Sequence, residues 1–260
     1  MLFSIITVCF NSAKTIRQTF ESILSQSCKD YEYWVIDGAS TDGTVDIIRE
    51  YEPRFEGRMH WLSEPDKGIY DAMNKGIRLS QGEYLNFMNS DDYFEPEALQ
   101  KTKEVIQQAP GYGIYFGAIR ELDANDDEIR ITRNHPNRLK HLHGNIWHQG
   151  LFEKRELFPK YNYYSTNYRI VSDLEHFLKL YQGQESFYPL DFCVASFRRT
   201  GISSTKHMDE RMQMYINLGL VDKTRYLKDQ RRKRLNEKIL HIVDKLLMVS
   251  CKILRFFRLR

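Results

Sequence analysis

Along the first hundred residues, apolar runs of strand character alternate with stretches of helical period. FSIITVCF (Phe3–Phe10) is continuous and β-branched rather than alternating, which predicts a strand buried on both faces. Asn11 and Ser12 then offer a helix cap, and Ile16, Phe20, Ile23 and Leu24 follow at i, i+4, i+7 and i+8, the spacing of a helix. YEYWVID (Tyr31–Asp37) predicts a second strand, GASTDGT a turn with capping chemistry, TVDIIREY a short helix and MHWL a third strand. In DKGIYDAMNKGIRLS, the stripe Ile69, Ala72, Met73 and Ile77 opposes Asp71, Asn74 and Arg78, so a third helix with a core face is expected. EYLNFM predicts a fourth strand, and PEALQKTKEVIQQA the helix after it.

Such alternation predicts the α/β class, with a doubly wound and mainly parallel sheet. Ligands of these sheets bind beyond the carboxyl ends of the strands. Polar clusters fall at those ends: Asn11 after the first strand, Asp37 after the second, EPDKG after the third, Asp91 and Asp92 after the fourth. The pattern changes near residue 110. YGIYFGAIRELD and DEIRITR predict a hairpin turning at Asn125 and Asp126, SDLEHFLKLY a short helix, and FYPLDFCVASFR another strand. An α/β half (residues 1–110) therefore meets a mixed half (111–220), both sharing one cleft, and a tail (221–260) follows.

Hydrophobic content of 42% is ample for a sizeable core. The four cysteines (Cys9, Cys28, Cys193, Cys251) lack paired or metal-ligand spacing, and Cys9 and Cys193 lie in apolar runs, as buried thiols do. This usage fits a reducing cytoplasm. MLFSIITVCF lacks a basic leader and a cleavage site, so it reads as a strand rather than a signal peptide. No run of eighteen uncharged apolar residues predicts a membrane span. The net charge of +3 hides an asymmetry: residues 222–260 carry 13 Lys and Arg against 4 Asp and Glu, a net of +9, which leaves −6 on the rest.

Asp91 and Asp92 repel one another, which is worth keeping only if the pair is solvated or a cation binds there. Chemistry that moves a group off a phosphate must neutralise the departing diphosphate, and Mg²⁺ or Mn²⁺ does so through oxygen ligands. The plainer alternative is an acidic turn capping the helix near Pro96. The surroundings of the pair bear on the choice. TVCFN, VIDGASTDGT, EPDKGIYDAMNKGI and GEYLNFMNSDD occur in that order, each at a strand end. Together they resemble the nucleotide-sugar domain of family 2 glycosyltransferases, inverting and metal-dependent enzymes of the A-type fold. The resemblance is close over residues 3–100 and looser through HQGLF, VSDLEHFL and FRRTGIS to about residue 205.

The resemblance implies that Asp92 ligates the metal ion and Asp91 contacts the ribose or donor sugar. It places Asp37, Asn11 and the backbone of Val8 to Phe10 around the base and ribose, with Asp66 and Lys67 reaching the nucleotide or its phosphates. Two positions depart from the family pattern. Gly38 stands where many relatives have a second acid that helps read uracil, and Asn89 where many have Asp. Inversion needs a carboxylate that takes the acceptor hydroxyl's proton. The resemblance places it at Asp173 in VSDLEHFL, with Glu175 as the runner-up, while the residues alone also allow Ser172 or Asp173 to be a helix cap. His148 and Gln149 match an acceptor-side HQ pair in relatives; a hydrogen-bonded structural histidine is the alternative. His207, past GISS, is either near the diphosphate or solvated.

In the tail, apolar residues at 239, 242, 243, 246, 249, 253, 256 and 257 approach helical period amid Arg and Lys. This predicts a basic amphipathic helix at an anionic membrane surface. A partner-docking helix and nucleic-acid binding are the alternatives, and no nucleic acid is expected.

The expectation is therefore a glycosyltransferase, hexosyl or N-acetylhexosaminyl. It would use a nucleotide-diphosphate sugar, a UDP-sugar by the resemblance, with a divalent cation and a saccharide or lipid-linked saccharide acceptor. Surface polysaccharide or lipopolysaccharide assembly is the implied setting, in the cytoplasm or on the inner membrane face. A sugar nucleotidyltransferase should show a Gly-rich basic loop after strand one, which FNSAKTI lacks. A degenerate sugar-nucleotide-binding protein would explain Gly38 and Asn89.

Overall fold

A computed structural model describes residues 1–136, 146–199, 208–222 and 224. Residues 1–207 form one unit and residues 208–260 another. Four parallel strands build the first half of the larger unit: β1 (Phe3–Cys9), β2 (Tyr31–Asp37), β3 (Met59–Ser63) and β4 (Tyr84–Phe87). Their order in the sheet is β3-β2-β1-β4, so the chain winds outward from β1 and then returns to its other side. That reversal between β1 and β4 is the place where a crevice opens at the carboxyl ends of a doubly wound sheet.

Period two explains why β1 has no polar face. Phe3, Ile5 and Cys9 join one core cluster, while Ile6 and Val8 join another. The first cluster is closed by helices α1 (Ile16–Leu24), α2 (Thr44–Tyr51) and α4 (Ala98–Gln108), through residues such as Phe20, Ile48 and Leu99. The second is closed by α3 (Ile69–Leu79), whose Tyr70, Ala72, Met73 and Ile77 are buried. Helices therefore cover both faces, as the alternating pattern requires. The predicted cap at Asn11 and Ser12 does not form. Helix α1 begins at Ile16 without a side-chain cap, and Asn11 instead adopts a left-handed φ of 51°.

The second half extends the same sheet in mixed directions. A two-residue strand, β5 (Tyr93–Phe94), lies at the far edge, and the predicted hairpin is present as β6 (Ile114–Leu122) and β7 (Glu128–Arg133), with Asp126 at φ 66° in its turn. Strand β8 (Leu151–Lys154) runs antiparallel to both β4 and β6, and β9 (Phe187–Arg198) is parallel to β6. Short helix α5 (Leu157–Lys160) and helix α6 (Ser172–Gln182) complete the larger unit. In the second unit the described element is α7 (Met208–Asn217). The amphipathic helix expected near residues 239–257, and His207, lie outside the described residues. Among the described residues, no helix is long and apolar enough to cross a membrane.

Candidate active site

Asp91 and Asp92 leave β4 in different environments. Asp92 is 1% exposed, and both carboxylate oxygens are engaged. Its Oδ1 accepts from the Arg198 backbone N–H (3.0 Å), and its Oδ2 accepts from Gln149 Nε2 (2.7 Å) and Asn89 Nδ2 (3.1 Å). Burial first, then the charge of Asp91, pushes the Asp92 carboxyl well above the ordinary carboxylate range. Asp91 is half-buried, and no other described residue donates a hydrogen bond to its side chain. Burial raises it too, opposed by the charges of Arg198 and His148.

The loop carrying the pair is tied to the rest of the fold by Arg198, at the end of β9. Its guanidinium donates to the Asp91 carbonyl (2.6 Å), to both oxygens of Asp126 (2.5 and 2.8 Å) and to Gln18 Oε1, and it lies over the Tyr93 ring. Thr19 of α1 adds a bond to the Asp92 carbonyl (2.7 Å).

Asp173 opens α6 without capping it. Its Oδ1 accepts from the adjacent Leu174 N–H (2.8 Å), and Ser172 donates instead to the Ser165 carbonyl. The Asp173 carboxylate meets two groups from other elements. Tyr70 places its hydroxyl 2.9 Å from Oδ1 and 2.6 Å from the Ile170 carbonyl, so its single proton serves one at a time. Burial, then the charge of Asp173, holds that phenol well above its usual range, which keeps it a donor. His148 places Nδ1 3.3 Å from Asp173 Oδ2 and Nε2 3.3 Å from Asn89 Oδ1. Because Asn89 turns its amide nitrogen to Asp92, its oxygen must face the histidine. Contacts thus run Asp173–His148–Asn89–Asp92–Gln149 between the predicted base and the acidic pair; Asp173 and Asn89 both offer His148 an acceptor oxygen, so a neutral imidazole, with one N–H, bonds to one of them at a time.

Several expected roles meet a different geometry. Asp37 is fully buried, and accepts from Ser40 Oγ (2.5 Å), Ser40 N–H (3.0 Å), Ser63 Oγ (2.6 Å) and the Cys9 thiol (3.5 Å). It has no open face for a base or ribose; it shapes the loop after β2. Burial, then the Asp37 charge, pushes the Cys9 thiol up and keeps it a donor. Asn11 braces the same loop, with Oδ1 accepting from the Thr41 N–H (2.9 Å). Glu175 is buried beside Lys179 at 3.1 Å, and no bond connects it to the Asp173 cluster. Gln149 is buried against Asp92 rather than turned to an acceptor. Val8 is buried, whereas Phe10 is 63% exposed at the end of β1, with Asp66 half-buried and Lys67 exposed. Sequence reasoning marked Asn89 only as a departure from the family pattern, and passed over Tyr70 and Arg198 as site residues. FRRTGIS held the only signal for Arg198, and nothing local marked Tyr70, which is 103 residues from its partner.

This order of strands and this placement of carboxylates define an A-type glycosyltransferase domain. The model of the glycosyl transferase family 2 matches residues 4–172, and the chain belongs to that family. It is 28% identical over 233 residues to a PGL/p-HBAD biosynthesis glycosyltransferase of Mycobacterium tuberculosis, covering 84% of this chain and 87% of that one. A second glycosyltransferase of M. tuberculosis, uncharacterised, is 32% identical over 180 residues, 68% of this chain and 67% of its own. Among solved structures, TarS of S. aureus in complex with UDP-GlcNAc superposes with a TM-score of 0.63 at 20% identity, over 80% of this chain and 61% of that one. A mannosyltransferase of Pyrobaculum calidifontis with GDP-Man and Mn²⁺ gives 0.63 at 19%, over 83% and 64%. The chain thus spans under two thirds of these solved chains.

Proposed function

We propose that this glycosyltransferase moves a sugar from a nucleotide-diphosphate donor to an acceptor hydroxyl with inversion, using a divalent cation held at Asp91. The observation that carries the reading is the Asp173–His148–Asn89–Asp92 chain, which fixes a candidate base beside an open acid. The cation moves from Asp92, where the resemblance put it, because the oxygens of Asp92 are already engaged while no other described residue bonds to those of Asp91. Mn²⁺ and Mg²⁺ are commonly held by one or two carboxylates plus substrate phosphates. That suits Asp91, since among the described residues no group of three or more His, Cys, Asp or Glu gathers to hold an ion alone. When bound, the cation supplies positive charge to the departing diphosphate.

The chain's own residues do the rest. Asp173 accepts the acceptor's hydroxyl proton as that oxygen attacks the anomeric carbon and the bond to phosphate breaks. Tyr70 and His148 hold the carboxylate in place for this. Asp92, Gln149 and Arg198 keep the Asp91 loop in position. The donors named for the solved neighbours support a UDP- or GDP-sugar, and the mycobacterial relatives' named role supports a biosynthetic acceptor. We place that acceptor in surface polysaccharide or lipopolysaccharide assembly, worked on from the cytoplasmic face. With Asp173→Asn, donor binding should persist while transfer falls about 10²–10⁴-fold, the usual worth of a general base. Full transfer activity in that variant would remove Asp173 from the role.

A further inference from the structure

A cavity of about 310 Å³ opens where the segments before β6 and β9 meet the end of β8. It lies at the other end of the sheet from the acidic loop. Lys154, on its wall, is paired with Tyr84, the first residue of β4, whereas Asp91 comes after the last. The four residues of β4 alone rise about 13 Å. The cavity floor is bare backbone. Gly111 has φ 93° and nothing within 4 Å of where a Cβ would stand, and a Cβ at Gly113 would lie 3.3 Å from Leu157 Cδ1 and 3.7 Å from Glu185 Oε2. The Gly113 N–H donates to Ser186 Oγ (2.9 Å), which ties the floor together. Glu185 is held by one oxygen only: its Oε1 accepts from Lys160 (2.5 Å) and from the Tyr161 hydroxyl (2.6 Å), while its Oε2 accepts from no described residue. The Lys154 ammonium has Glu156 as ion partner at 3.9 Å, beyond hydrogen-bond reach. One cavity therefore carries an unmet acceptor and an unmet donor, on side chains only 14% and 23% exposed.

We propose that this cavity is an accessory saccharide site, separate from the site of transfer. The proposal rests on family membership and not on the roles given to Asp91 and Asp173. Two lysines and two glutamates line the space, so it favours no net charge. An anion would meet the free oxygen of Glu185, and a cation the Lys154 ammonium. A neutral diol meets neither penalty: one hydroxyl accepts from Lys154 and its neighbour donates to Glu185 Oε2. The glycine floor and Leu157 give the C–H face of a sugar an apolar bed. At the far end of β4, such a site holds a part of the glycan remote from the hydroxyl under attack.

Saturation-transfer NMR on the full chain tests this with the methyl glycosides of glucose, galactose, mannose, rhamnose and N-acetylglucosamine. At least one should bind with roughly millimolar affinity, the scale of so small a ligand. UDP with Mn²⁺ should leave it in place, as should inorganic phosphate and alanine, which stand for an anion and a zwitterion. Lys154→Met keeps the apolar stem and removes the ammonium. Glu185→Gln puts an NH₂ in place of the free acceptor and keeps an oxygen for Tyr161. Each should weaken binding more than about fivefold with melting within about 2 °C of the wild type, whereas Asp91→Ala should not weaken it. The proposal falls if none of the glycosides binds, if UDP, phosphate or alanine displaces the sugar, if Lys154→Met binds it as the wild type does, or if Asp91→Ala weakens it equally. None of these results bears on Asp173 as the base, which the transfer assay of Asp173→Asn decides separately.

Discussion

A buried carboxylate that accepts three hydrogen bonds is costly to remove, because each donor then loses its partner. Asp92 is in that position, with Arg198, Gln149 and Asn89 all pointing at it. Asp91 is not, and its charge raises its neighbour. The two alanine variants should therefore part company. Asp92→Ala should lose about 3 kcal/mol, since relief of the buried charge offsets only part of the three unmet donors. For a domain of this size that is a fall in Tm of roughly 6–12 °C. Asp91→Ala should melt within about 2 °C of the wild type, because nothing leans on its side chain, yet lose Mn²⁺-dependent binding of the nucleotide. Melting curves and calorimetry on both variants decide it, and equal destabilisation would return Asp92 to the metal role. Sequence made the pair visible but not the division between its members. Which acid is open depends on a backbone N–H from β9, over one hundred residues away. The motif offered Asp173 as a candidate base, whereas the contacts that distinguish it from a cap, with Tyr70 and His148, come from α3 and the segment before β8.

Between α3 and β4 the chain turns against the sheet at Gly82, whose N–H donates to Ser4 Oγ (2.7 Å) and Glu32 (3.2 Å). A Cβ there would lie 2.6 Å from the backbone of Phe3 and Ser4 and 2.5 Å from Ser4 Oγ. Backbone in the central strand cannot yield as a flexible side chain does. Gly82→Ala should thus cost about 3 kcal/mol, the upper end of overpacking, and lower the denaturant midpoint without changing its slope. A neutral result would mean that β4 can shift against β1, and with it the loop carrying Asp91. This close approach was invisible in sequence, where Gly82 reads as an ordinary turn glycine. The elements themselves were legible because β1 to β4 are short apolar runs and α1 to α4 carry stripes at i, i+3 and i+4. The cap at Ser12 was misplaced for a tertiary reason. Its hydroxyl meets Ser90 (2.8 Å), so the residue joins the first loop to the acidic one instead of starting a helix.

At the scale of the whole chain, charge is divided rather than mixed. Residues 222–260 carry +9 and the remainder −6, so the two parts respond oppositely to an anionic surface. Each Lys or Arg near such a surface contributes about 1 kcal/mol, so four engaged at once give about 4 kcal/mol, or roughly a thousandfold in partitioning. The acidic remainder is repelled by the same field. Full-length protein should therefore bind vesicles containing phosphatidylserine at low salt and release them as ionic strength approaches 1 M, where the screening length falls to about 3 Å. Ending the chain at residue 221 should abolish binding while the donor hydrolysis proposed for the Asp91 and Asp173 sites continues. Sedimentation with anionic and neutral vesicles separates the outcomes. Undiminished binding by the shortened chain would move the contact to the catalytic unit, and binding to neutral vesicles alike would replace the electrostatic account with an apolar one.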